Sequence, residues 1–266
     1  MDVSFIIALL ILGAVVGLLA GLLGIGGGGV MVPVLTGLFA AQGFPADQTL
    51  HIALGTSMAA IVPTAYASLR AHHAKGAVLW DVVKKMTPAI LAGTFLGTFL
   101  AAYLPTKALA IFFAVFMTYV AIQIWVGIKP RTNAQLPSTL GLGTAGAVIG
   151  AISALVAIGG GSLTVPYLMW NNVNIRQAIA TSAAVGFPIA VAGALGYVIN
   201  GWGIPNLPAH TLGFVYWPAV ILIASVSFFT TKIGANLAHS LPVAMLKKVF
   251  AVLVVLLSVK MLVGVL

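Results

Sequence analysis

Apolar runs, most of them about twenty residues long, follow one another from end to end of this chain, and no Asp, Glu, Lys or Arg lies in the middle of any of them. A run of that length spans the hydrocarbon core of a bilayer as one helix. In that medium every backbone N–H and C=O must be paired inside the protein. The pattern therefore predicts an all-α membrane protein. Two of the runs are interrupted in the same way, by IGGGGVMVP at 25–33 and IGGGSLTVP at 158–166. In each copy a row of small residues ends the run and a proline follows at the same distance, at Pro33 and at Pro166. A glycine row at membrane depth must be buried in protein or line a wet cavity. Two such breaks in matching places are the sequence pattern of a transporter's binding site.

Composition supports the membrane reading. Hydrophobic types make up 61% of the residues and charged types 6%, against about 25% charged in a soluble domain. The mean hydropathy of +1.17 leaves little room for a soluble domain. The formal charge of +9 comes from 12 Lys and Arg against Asp2, Asp47 and Asp81. In a membrane chain such an excess follows the positive-inside rule, so no nucleic-acid partner is implied and the lipid bilayer is. With no Cys there is no disulfide framework, thiolate metal site or thiol chemistry. The start, MDVSFIIALL, has no basic n-region and no small-residue cleavage site, so it reads as mature sequence.

The chain divides into two similar halves, 1–133 and 134–266. The first reads as a hairpin over 5–41 followed by helices at 51–70, 86–104 and 108–128. The second reads as a hairpin over 139–170 followed by helices at 177–199, 213–235 and 243–265. Ordered blocks align the halves: Thr56-Ser57 and Pro63 with Thr181-Ser182 and Pro188, Trp80 with Trp217, and Gly97 with Gly234. Glycines at 13, 17, 21 and 24 share one face of the first run, the small-xxx-small pattern of close helix packing. The stretch 70–85 reads as a basic connection, with Arg70, Lys75, Lys84 and Lys85, and 129–138 as a linker with Lys129 and Arg131.

Charge chooses between topologies. If each break is the tip of a re-entrant or broken hairpin, each half has three further crossings, about eight membrane segments in all, and the halves are inverted. Arg70, Lys75, Lys84, Lys85, Lys129, Arg131, Arg176, Lys232, Lys247 and Lys248 then lie inside, leaving Lys107 and Lys260 outside. Eight full crossings distribute the charges less well.

The candidate site follows from the breaks. Consecutive backbone N–H groups at a helix start form an anion site, helped by the helix dipole. The candidate amides are those of Gly26, Gly27, Gly28, Gly29, Gly159, Gly160, Gly161 and Ser162, with hydroxyls from Thr56, Ser57, Thr181 and Ser182 beside them. Such hydroxyls otherwise bond back to a carbonyl one turn earlier. The expected partner is a small anionic substrate. His72 and His73 read as a solvated face, and no His or carboxylate spacing predicts a metal or cofactor. Trp80, Trp202 and Trp217 read as interfacial anchors. No carboxylate sits where a proton or cation relay would place one, and no catalytic motif appears, so an enzyme is disfavoured.

The stretches GLLAGLLGIGGGGVMVPVL (17–35) and GAISALVAIGGGSLTVPYL (150–168), with ALGTS and AIATS, resemble the TauE/SafE family of sulfite and sulfonate exporters. The resemblance covers essentially the full chain. It implies a bacterial inner-membrane permease that exports a small sulfur-containing oxyanion, sulfite or an organosulfonate such as sulfoacetate, by alternating access. A permease for another small anion such as a carboxylate is the alternative within transport. A membrane enzyme or an assembly subunit is the alternative outside it. The second break carries Ser162 where the first carries Gly29, so the two half-sites differ.

Overall fold

The fold is that of a computed structural model, which describes residues 2–23, 27–126, 135–237 and 243–265. Gly26 lies outside these residues, as do Gly24, Lys129, Arg131 and His239. The described residues form ten helices: α1 (Val3–Leu23), α2 (Gly28–Ala41), α3 (Thr49–Ala74), α4 (Trp80–Tyr103), α5 (Thr106–Val126), α6 (Thr139–Val156), α7 (Gly161–Trp170), α8 (Ile175–Gly201), α9 (Trp217–Leu237) and α10 (Val243–Val265). A two-stranded hairpin, β1 (Thr211–Leu212) and β2 (Val215–Tyr216), precedes α9. Eight of the helices are long and apolar enough to cross a membrane. With 14 and 10 residues, α2 and α7 are shorter, at 1.5 Å per residue, than a roughly 30 Å hydrocarbon core. The all-α membrane class thus stands.

Glycine sets the closest helix contacts. A Cβ at Gly13 would lie 2.7 Å from the carbonyl oxygen of Ile223, and one at Gly17 would lie 2.5 Å from that of Ser227. The numbers rise together, so α1 and α9 run parallel with their backbones touching. The second half repeats this: Gly146 abuts Met86, Gly150 abuts Ile90, and Gly97 abuts Ala151, which makes α6 parallel to α4. The small-residue face expected on the first run is therefore a packing face at Gly13 and Gly17.

Most of the remaining pairings follow the same exchange, the packing of α2 on α10 being an exception. Helices α3 and α8 pack on each other, as do α5 and α10; α2 lies on α3 as α7 lies on α8, and α4 meets α8 as α9 meets α3. Swapping α1–α5 for α6–α10 leaves this set of contacts unchanged. Each short helix turns back beside its long neighbour. The Phe5 ring of α1 lies 6.3 Å from that of Phe39 near the end of α2, and the Tyr167 hydroxyl of α7 reaches the Gly141 carbonyl at the start of α6 at 3.5 Å.

Two element boundaries differ from the expectation. Much of the basic stretch 70–85 is helical, because α3 continues to Ala74 and α4 begins at Trp80. Arg70, Lys84 and Lys85 lie near the ends of these helices, and Lys75 follows the last residue of α3. The segment expected as helix from 213 opens instead with the hairpin, because Gly213 takes φ 55 and turns the chain between β1 and β2.

Candidate functional site

Each break is built by a helix that stops and a short one that starts. Helix α6 ends in a Schellman arrangement. The N–H of Ile158 bonds to the Ser153 carbonyl at 3.1 Å, and Ala157 takes the left-handed conformation at φ 49. Gly160, at φ 76, then caps α7. The carbonyl of Gly160 accepts from Leu163 and Thr164, while no acceptor meets the N–H groups of Gly161 and Ser162 among the described residues. In the first break Gly27 caps α2, and its carbonyl accepts from Val30 and Met31.

The two breaks touch. A Cβ at Gly28 would overlap the Ala157 carbonyl oxygen and lie 3.4 Å from the Ile158 Cα. Gly159 is flanked by both central helices. Ile61 of α3, one turn beyond Ser57, lies 3.6 Å from its Cβ position, and its carbonyl oxygen lies 2.5 Å from the Cβ position of Gly186, one turn beyond Ser182 in α8. Gly27, Gly28 and Gly29 are buried. Gly160 is buried too, while Gly159 and Gly161 are half-buried, so the first row is enclosed by protein and the second is partly open.

Thr56 and Thr181 are fully buried and do something the sequence did not suggest. The Thr56 oxygen accepts the N–H of Tyr216, and the Thr181 oxygen accepts that of Leu79, both at 3.0 Å. Leu79 and Tyr216 immediately precede α4 and α9. Each threonine of one half therefore caps the start of a helix in the other half, satisfying an amide that the helix cannot satisfy itself. Neither bonds back one turn along its own helix.

The serines stand differently. Ser57 is wholly buried and Ser162 nearly so, and neither hydroxyl has a hydrogen-bond partner among the described residues. Ser182 is buried as well. Three hydroxyls that sequence reasoning missed share this condition: Thr164, whose Oγ1 lies 3.5 Å from the Cβ position of Gly160, Ser153 at the end of α6, and Thr94 in α4 beside Gly150. Thr164 is in the quoted motif, and comparison with Met31 at the matching position of the first break would have found it. The second break thus carries two orphaned hydroxyls, Ser162 and Thr164, where the first has Gly29 and Met31. A buried hydroxyl without a partner costs about 1–3 kcal/mol, so a group that supplies acceptors at this place is favoured.

Two cavities open at one end of the bundle, away from the breaks. One, of about 580 Å³, is lined by Ile6, Gln42, Phe44, His210, Tyr216 and Trp217 among others. The second, of about 760 Å³, shares Phe44 and is lined by the starts of α3 and α5 and the ends of α4 and α10. No cluster of His, Asp and Glu able to hold a metal occurs among the described residues.

Residues 9–261 match the model of the family described as Sulfite exporter TauE/SafE. A probable membrane transporter protein of Haemophilus influenzae is 38% identical over 97% of this chain and 98% of its own length. The probable membrane transporter protein YdhB of Bacillus subtilis is 24% identical over 87% of this chain and 89% of its own. A probable membrane transporter protein of Methanocaldococcus jannaschii is 26% identical over 86% and 85%. No solved structure matches.

Proposed function

Because the chain belongs to the sulfite exporter TauE/SafE family and is a multi-pass membrane transporter, we propose that it exports a small sulfur-containing oxyanion held where the two breaks meet. The observation that carries this reading is the pair of orphaned hydroxyls on the second break. Ser162 and Thr164 lie beside the unmet amides of Gly161 and Ser162, with Ser57 on α3 a turn away from Ile61, which borders Gly159. Hydroxyl and amide donors without acceptors suit an oxyanion, and none of them carries a charge that would hold the ion too tightly to leave.

The halves 1–133 and 134–266 act as inverted repeats in this reading. Parallel packing of α1 on α9 and of α6 on α4 supports it, together with His51, which touches both the end of α4 and Phe214 just before α9, so that α9 begins where α4 ends. The two hairpins then enter from opposite sides and their tips meet at mid-depth. Opening the Gly28–Ala157 contact admits the anion, and alternating access exposes it to one side at a time. Export follows the membrane potential, which favours exit of an anion by about 2.3 kcal/mol per charge per 100 mV.

Purified protein is tested by thermal shift against sulfite, sulfoacetate, taurine, sulfate and lactate, since a ligand of the folded state raises the melting temperature by mass action. Stabilisation by sulfite or sulfoacetate, together with proteoliposome flux that follows an imposed potential, is expected. Stabilisation by lactate alone moves the substrate to the carboxylates. Flux that ignores the potential removes electrogenic export.

A further inference from the structure

The packing of α2 on α10 has no counterpart in the other half, since α7 makes no such packing on α5 among the described residues. Gly29 lies at its deep end. A Cβ there would lie 3.3 Å from the Met117 Sδ of α5 and 3.7 Å from both methyl carbons of Val254 in α10. These two walls are themselves a matched pair. The register that aligns Trp80 with Trp217 and Gly97 with Gly234 also aligns Thr106 with Val243, where α5 and α10 begin, and Met117 with Val254. Both side chains are buried, and α5 packs on α10. Gly29 thus fills a slot whose two sides come from equivalent places in the two halves.

The residue aligned with Gly29 is Ser162, on α7. Exchanging the halves maps the slot onto itself and puts Ser162 where Gly29 stands. In this structure the two short helices are not equally seated. Residues Gly28 to Pro33 of α2 are all buried, whereas Gly161, Leu163, Val165 and Pro166 of α7 are half-buried. The slot also lies below the 760 Å³ cavity, which reaches Thr36 on α2, Lys107 on α5 and Gly264 on α10. Gly29 is seven residues from Thr36, and Met117 and Val254 are each ten from Lys107 and Gly264, so the slot lies about 10–15 Å deeper along all three helices.

We propose that Met117 and Val254 form a seat that the two breaks occupy in turn. With Gly29 seated, as here, α2 closes the passage from the cavity to the breaks and the second break stays partly open. With Ser162 seated, α7 packs on α5, α2 leaves α10, and the cavity extends down to the breaks. Both occupants are small enough for one slot, and the unbranched Met117 side chain adapts to the difference of a hydroxymethyl group. Two packings of equivalent parts make the bistable element that alternating access requires. Gly29 brings no hydroxyl to these apolar walls, which favours it as the occupant when nothing is bound. The inference deepens the transporter reading and rests on it, without depending on which anion is carried.

The natural sequence contains no Cys, so cysteine pairs can report the seat. Gly29→Cys with Val254→Cys traps the first occupant, and Ser162→Cys with Val254→Cys traps the second. Membranes holding the full-length protein are treated with a one-carbon bis-methanethiosulfonate reagent. A protease site placed in the linker 129–138 is then cut, and a bridge keeps the halves together on a non-reducing gel in the first pair, while the second pair is seen by a mass shift of the bridged peptides. Bridging in both pairs is expected. Bridging in one pair alone, or in neither, overturns the shared seat. Competition is read by adding Gly29→Ala to the second pair. The new methyl group presses on Met117 Sδ and disfavours the first occupant, so bridging of the second should speed up about fivefold. An unchanged or slower rate overturns the proposal. If either pair fails to fold, Met117→Cys replaces Val254→Cys in both and the same outcomes decide. No step uses the substrate, so failure of the sulfur-oxyanion assignment is seen separately in the thermal-shift screen.

Discussion

The carbonyl oxygen of Ala157 fills the place where a side chain on Gly28 would begin. One residue ends α6 and the other starts α2, so this backbone contact is where the halves of the chain meet at their breaks. Any opened state that admits an ion between the glycine rows has to part these two residues. Ala157 holds a left-handed conformation, at φ 49, that glycine adopts far more readily.

Gly28→Ala should therefore be disruptive. Its methyl group meets backbone and not the flexible end of a side chain, and a loss of about 1–3 kcal/mol is expected. Gly37→Ala is the control: nothing lies within 4 Å of its Cβ position, and in a helix interior the change should stabilise by about 0.5–1 kcal/mol. Thermal unfolding of both variants in the same detergent checks the pair.

Ala157→Gly should act in the opposite sense from Gly28→Ala. Relief of the left-handed strain is worth roughly 1 kcal/mol, offset in part by the greater freedom of the unfolded chain. A melting temperature below that of the parent would show that the alanine methyl group contributes more by packing than its conformation costs.

Removing an orphaned hydroxyl separates ligand binding from folding. Ser162→Ala and Thr164→Val delete donors that have no partner among the described residues, so stability without ligand should stay level or rise slightly. The same variants should weaken binding of the proposed oxyanion about tenfold or more, the loss of one hydrogen bond to a charged group, seen as a smaller ligand-induced thermal shift. Undiminished shifts in both would remove these hydroxyls from the site. A bulky residue at Gly160 is a poorer test, because its φ of 76 and a Cβ position 2.6 Å from Ile189 Cδ1 would strain the fold whatever binds.

Thr56→Val and Thr181→Val should be equivalent. Each removes the acceptor for one helix-start amide in the opposite half, at about 1 kcal/mol apiece. The two bonds share no partner, so the double variant should lose about the sum. Unequal single effects in denaturation midpoints would show that the two halves do not rely equally on this exchange.

Much of the architecture was legible because lipid enforces simple rules. Long apolar runs became helices, and Gly13 and Gly17 became a packing face as their spacing requires. The role of Thr56 and Thr181 was not legible. Their spacing shows only a hydroxyl on a helix, while the amide each one meets lies 160 or 102 residues away and is brought there by the exchange of partners between halves. His51 was hidden for the same reason: its partners, Ala101 and Leu104, come from the end of another helix. The β1–β2 hairpin was absorbed into the apolar run at 213, since its hydrophobic residues continue the composition of α9 without a break.

The bond from Leu79 to Thr181 also bears on how the chain is made. When Leu79 is synthesised, the residue that completes the start of α4 is still 102 residues away along the chain. The leading half must wait at the insertion machinery with that amide unmet, and it finds its acceptor only when α8 arrives. A fragment ending at the linker would thus be an unfinished folding intermediate and no miniature transporter, and co-expressing the two fragments should rescue what neither achieves alone.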